Sequence, residues 1–151
     1  MQLSFYHLTK TALEEAIPKL MEKLLESGGR AVINFSSDDM MQNIDKKLWS
    51  VGGTRFIPHA TDAEDFQEDH PIILSKNYEA QNNPNFLVLT QPISVNEETL
   101  NNFERCLILF NGKSENELSV ARSLWKKFSE NQNYTLKYFL QNEKGVWQEK
   151  N

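Results

Sequence analysis

The residues most open to a chemical reading lie in FNGKSENE (110–117), where Gly112-Lys113-Ser114 joins an apolar run to a helix-like stretch. A glycine, a lysine and a hydroxyl at a strand-to-helix turn resemble the closing residues of a phosphate-binding loop. Such a loop needs an earlier glycine, five residues before Gly112, so that consecutive amides can curl around the phosphates. That position is Leu107, inside the apolar run, so the segment reads as a surface turn. A dinucleotide site would carry GxGxxG after the first strand, and no such triplet stands there. Asp62, Glu64, Asp65, Glu68 and Asp69, flanked by His59 and His70, could offer ligands to a cation. Their spacing matches no metal loop, and hard cations need oxygens converging from a fixed turn, so a solvated loop is expected. Cys106 sits in CLILF with no histidine beside it and reads as a buried thiol. Ser36-Ser37 lacks the GxSxG pattern of a nucleophile elbow. The residue types and spacings predict no catalytic centre, no metal and no cofactor.

The charge balance narrows the partners. Among 151 residues the formal net charge is −5, which disfavours broad binding to a phosphate backbone. A single cysteine forbids an intrachain disulfide. MQLSFYHLTK reads as neither a leader nor a span, and no apolar run approaches the ~20 residues a bilayer crossing needs. A reducing cytoplasm is the expected location and no membrane partner is expected.

The elements that would position any site follow from periodicity. LSFYHL (3–8), AVINF (31–35), PIILS (71–75), FLVLT (86–90), CLILF (106–110) and YTLKYFLQ (134–141) read as strands, with GVWQEK (145–150) a last strand or a tail. Helical spacing predicts helices over 12–26, 40–49, 97–104 and 115–130. Thr11 is placed to cap the first, and Pro18 implies either a kink or a main body starting there. Ser27-Gly28-Gly29 closes it, and Ser36-Ser37-Asp38-Asp39 signals the start of the second. The acidic stretch 60–70 reads as a loop. Short apolar strands alternating with helices predict a mostly parallel sheet covered on both faces. With no repeats or low-complexity linker, residues 1–151 are expected to form one α/β domain.

Two features remain without a role. In IDKKLWSVGGTRFIPH (44–59), Trp49 and Phe56 flank a glycine turn, which a core or a partner-binding face would equally explain. In ENELSVARSLWKKF (115–128), Arg122 and Lys126 are i,i+4 neighbours beside Trp125, while Leu118, Ala121, Trp125 and Phe128 form an apolar stripe.

These segments resemble the chi subunit of bacterial DNA polymerase III, an accessory protein of the clamp-loader complex. The resemblance rests on LSFYHL, on IDKKLW…RFIPH, on ARSLWKKF and on the closing YFLQNEKGVW. It implies a three-layer α/β sandwich, Rossmann-like without a phosphate loop. It implies an adaptor with no catalytic centre of its own, inside a DNA-directed DNA polymerase. One surface would bind the psi subunit or its equivalent, with Trp49 and Phe56 as aromatic anchors. Another would bind the acidic C-terminal tail of single-stranded DNA-binding protein, so that DNA is reached indirectly. That tail ends in a phenylalanine with a free carboxylate. Arg122 suits the carboxylate, Trp125 the ring, and Lys126 and Lys127 the acidic approach. Chi proteins more often carry Tyr where Trp125 stands here. The competing expectations are a small α/β nucleotide-binding protein or enzyme, suggested by the strand pattern and GKS, and direct DNA binding.

Overall fold

A computed structural model describes residues 1–49 and 57–150. The chain runs β1 (Gln2–Leu8), α1 (Leu13–Glu26), β2 (Ala31–Asn34), α2 (Asp38–Trp49), β3 (His59–Thr61), β4 (Ile72–Ser75), β5 (Phe86–Leu89), α3 (Glu97–Leu100), β6 (Arg105–Asn111), α4 (Glu115–Ser129), β7 (Thr135–Gln141) and β8 (Trp147–Lys150). The eight strands form one sheet in the order β3-β4-β2-β5-β6-β1-β7-β8. Every pairing is parallel except that of β7 with β8.

This order explains the layers. From β1 the chain moves through α1 and α2 toward the β3 edge, and from β5 it moves through α3 and α4 toward the β8 edge. Right-handed crossovers taken in opposite directions put their helices on opposite faces. The period of two along β6 shows the result. Leu107 and Leu109 pack with Ile17, Met21 and Leu24 of α1 and Ile44 and Leu48 of α2. Cys106, Ile108 and Phe110 pack with Leu100, Phe103, Ala121, Leu124 and Phe128. Each fully buried Leu, Ile or Phe contributes roughly 1.5–3 kcal/mol of transfer free energy, so the two layers hold the sheet from both sides. The architecture is the expected three-layer α/β sandwich.

Local details correct several expectations. Thr11 does not cap α1: its N-cap is Ala12, without a side-chain cap bond. The helix runs through Pro18, which is buried within it. Gly28 then takes a left-handed φ of 78°, and Gly29 donates to the Leu24 carbonyl at 3.0 Å, closing the helix as its glycines imply. Ser37 starts α2 by accepting from the Met40 amide at 3.2 Å. α3 ends at Leu100, short of the predicted 104. The predicted loop 60–70 begins inside an edge strand, β3, and contains a 3-10 turn at Gln67–Asp69. Residues 147–150 form a strand paired to β7. Among the described residues no helix is long and apolar enough to cross a membrane.

Candidate partner-binding groove

Along β1 the alternation that buries Leu3 and Phe5 on the α4 side also turns His7 to that side. Phe110 of β6 and Tyr138 of β7 flank the same position, because Phe110 pairs with His7 and Tyr138 with Phe5 in the sheet register. α4 packs over β6 and β7. Its Leu118, Ala121, Arg122 and Trp125 face these strand residues across an open groove of about 500 Å³. Lys150 of β8, directly opposite Tyr138 in the antiparallel ladder, also lines it.

Aromatic contacts fix the walls. Trp125 stands edge-on to Phe5, with ring centroids 5.2 Å apart and planes at 70°. It is also edge-on to Tyr138, at 6.0 Å and 89°. His7 stacks on Phe110 at 4.7 Å and 22°, and its Nδ1 meets the Tyr138 hydroxyl at 2.5 Å. Burial pushes the His7 pKa down, and the Arg122 charge pushes it the same way. Burial raises the Tyr138 pKa, with Arg122 opposing. Arg122 is exposed, and neither it nor Lys150 has an ion pair among the described residues. Among the described residues no carboxylate lines the groove. A site with apolar aromatic walls and unneutralised cations suits a ligand carrying both a ring or aliphatic group and a negative charge.

The predicted helix residues separate here. Arg122 and Trp125 come together in the groove, and Trp125 proves half-buried, serving wall and core at once. Lys126 is exposed but does not line the groove. Lys127 turns aside, its ammonium 5.1 Å from the Phe128 ring centre. Sequence reasoning missed His7, Tyr138 and Lys150. The alternation of β1 carried the signal for His7, since it follows Leu3 and Phe5 at steps of two.

The other aromatic surface lies at the end of α2. Trp49 is 59% exposed and packs its ring 5.0 Å from that of His59. His59 is buried, with one ring nitrogen 2.7 Å from the Ile57 carbonyl and the other 2.7 Å from the Asp45 carboxylate. Phe56 lies outside the described residues. Phe66, which the sequence did not single out, is 69% exposed with a left-handed φ of 61°.

The nucleotide-like features have local uses. Gly112 makes room for a neighbour: a Cβ there would collide with the His7 imidazole and approach the Leu8 carbonyl at 2.8 Å. Ser114 caps α4 by accepting from the Glu117 amide at 3.2 Å. A crevice of about 450 Å³ does open at the C-terminal ends of β1, β2, β5 and β6, where open α/β sheets hold ligands. At the β1–α1 turn, however, the amides of Thr9, Lys10 and Thr11 donate to Oε1 of Gln141, at 3.1, 2.9 and 3.2 Å. The Gln141 amide nitrogen donates in turn to the Thr11 hydroxyl at 2.7 Å. In the acidic stretch, Asp62 accepts from the Ser75 hydroxyl at 3.0 Å and His70 contacts the Phe66 carbonyl at 3.2 Å. Among the described residues no group of three or more His, Cys, Asp or Glu side chains could hold a metal ion.

Comparison with known proteins bears on this arrangement. The family model for "DNA polymerase III chi subunit, HolC" matches residues 1–137. A protein of Rickettsia prowazekii (strain Madrid E), "Probable DNA polymerase III subunit chi", is 26% identical over 151 residues, spanning 97% of this chain and 90% of that protein. The matched segment includes His7, Arg122 and Trp125, while Tyr138, Gln141 and Lys150 lie beyond it. The chain belongs to the chi-subunit family of DNA polymerase III, a family of DNA replication.

Proposed function

We propose that this chi-family protein is a non-catalytic adaptor of the clamp-loader complex in the cytoplasm. It joins the polymerase to single-stranded DNA-binding protein by holding that protein's acidic C-terminal tail in the groove beside α4. The observation that carries this reading is a groove with aromatic walls that, among the described residues, has two cations without ion pairs and no carboxylate, on a chain of net charge −5. Arg122 takes the terminal carboxylate, and Trp125 with Phe5 and Phe110 takes the phenylalanine ring. Lys126 and Lys127, exposed on the same helix, attract the acidic residues before it. Trp49, whose exposed indole supplies contact area at low entropic cost, anchors the psi subunit or its equivalent on a separate face, with Phe56 as the second expected anchor.

The test is calorimetric titration with a short acidic peptide ending in a free phenylalanine, taken from the same organism's single-stranded DNA-binding protein. Binding is expected to weaken as salt rises and to disappear when the last phenylalanine is deleted. Arg122→Glu is expected to abolish it while leaving the urea midpoint unchanged. A folded Arg122→Glu variant with unaltered affinity removes the groove from this role.

A further inference from the structure

The groove holds one more ionisable pair, His7 and Tyr138, on the two strands that flank its floor. We propose that His7 takes up a proton when a carboxylate docks in this groove, and that Tyr138 turns its hydroxyl hydrogen toward the ligand in the same event. The inference rests on the tail-binding reading above.

The geometry limits the states of the pair. The imidazole lies flat on Phe110, and Gly112 closes against its other nitrogen side, so the ring is held in place. Nδ1 faces the Tyr138 hydroxyl. With a neutral ring protonated on Nε2, Nδ1 accepts and the hydroxyl hydrogen is used on the histidine; with the neutral proton on Nδ1, the roles reverse. With a protonated ring, Nδ1 donates to the phenol oxygen, and the hydroxyl hydrogen is released to the groove. Only the protonated ring both frees the hydroxyl hydrogen and sets a positive charge behind it, the combination that favours a carboxylate most.

A ligand carboxylate selects between these states. The charged groups lining the groove with His7 are Arg122 from α4 and Lys150 from β8, with Tyr138 from β7 and no acid among the described residues that line it. In the free protein burial and Arg122 both hold His7 below its ordinary value. A carboxylate seated on Arg122 offsets that repulsion and favours the imidazolium. The bound form then holds more protons than the free form between the two His7 pKa values. Linkage requires affinity to rise as pH falls through that window, by at most about tenfold per pH unit for one proton. The ligand's own carboxylates titrate near ~3.5–4, below the window.

The experiment titrates the full chain with the phenylalanine-ended peptide at about pH 6.5, in two buffers of different ionisation enthalpy. Expected is a net uptake of protons, and an affinity several-fold higher at about pH 6 than at about pH 8. Uptake should vanish with His7→Gln, shrink with Tyr138→Phe, and vanish for the C-terminally amidated peptide. If His7→Gln fails to fold, the His7 ring is followed in the unaltered protein by NMR, and its pKa must rise on peptide addition. Tight binding with no proton uptake and an unmoved His7 titration overturns the inference while leaving the groove's assignment intact. No peptide binding at any pH overturns both.

Discussion

Trp125 and Phe5 meet edge-to-face at 5.2 Å, one from α4 and the other from β1, so the indole that walls the groove also clamps the helix to the sheet. A purely interfacial tryptophan could be truncated without cost to the fold, and this one cannot. Trp125→Ala is expected to lower stability by ~1–3 kcal/mol, less than a fully buried aromatic because the ring is half exposed. Trp125→Phe should lose little stability. Urea melts of the two variants check both statements, and equal midpoints for Trp125→Ala and the parent would contradict the shared role.

Lys150 offers a complementary case, since it touches the groove from the edge strand and has no ion pair among the described residues. Lys150→Glu is expected to change stability by no more than ~0.5 kcal/mol. It places an acid where the described residues have none, and should weaken the acidic peptide several-fold while reducing the salt dependence of binding. Calorimetry at two salt concentrations reads both effects.

Gln141 accepts from three consecutive amides and donates to Thr11. Gln141→Ala strips those donors of their partner and is expected to cost ~1–3 kcal/mol, moderated where water can enter from the crevice. Gln141→Glu keeps the acceptor, and three amides directed at a carboxylate hold its pKa below the ordinary range. The folded pKa being the lower one, this variant's stability is present above the unfolded value and is lost as pH falls through the folded one. Urea midpoints across acid pH should fall more steeply for Gln141→Glu than for the parent.

Cys106 is fully buried in β6 and burial pushes its thiol pKa far up. The reactive thiolate is therefore withheld in the folded chain. Labelling by a disulfide reagent at pH 8 should proceed only as fast as the protein opens, and should become rapid in urea. Fast labelling of the native chain would contradict the buried placement.

The sheet and three of its four helices were legible because their signals are strong. AVIN, IILS and FLVL are apolar on both faces, as central parallel strands must be, and α4 announces itself by an apolar stripe with Ser114 at its start. β3 was not legible. It is three residues long, sits on the sheet edge, and opens an acidic stretch whose composition points to a loop. α3 was overextended because Phe103 follows Leu100 at helical spacing, and both are buried, while the chain turns into β6. In the groove, the α4 residues could be read from one segment with the help of the family resemblance. His7, Tyr138 and Lys150 could not, because only sheet register brings positions 7, 138 and 150 together. Lys127, adjacent to Lys126 in sequence, points elsewhere because one residue turns a helix by about 100°.

The contact of Gln141 with residues 9 to 11 has a further meaning for this fold. The amides of the β1–α1 turn, which borders the crevice at the strand ends, already carry their own guest, tethered through β7. A tethered group competes at an effective concentration of millimolar or more, without ever having to diffuse in. A free phosphate or nucleotide reaching the β1–α1 turn would first have to evict a side chain that the polypeptide returns at once. The expected outcome is that thermal melts stay unmoved by millimolar ATP, GTP or NAD in the parent and shift only once Gln141 is cut back to alanine.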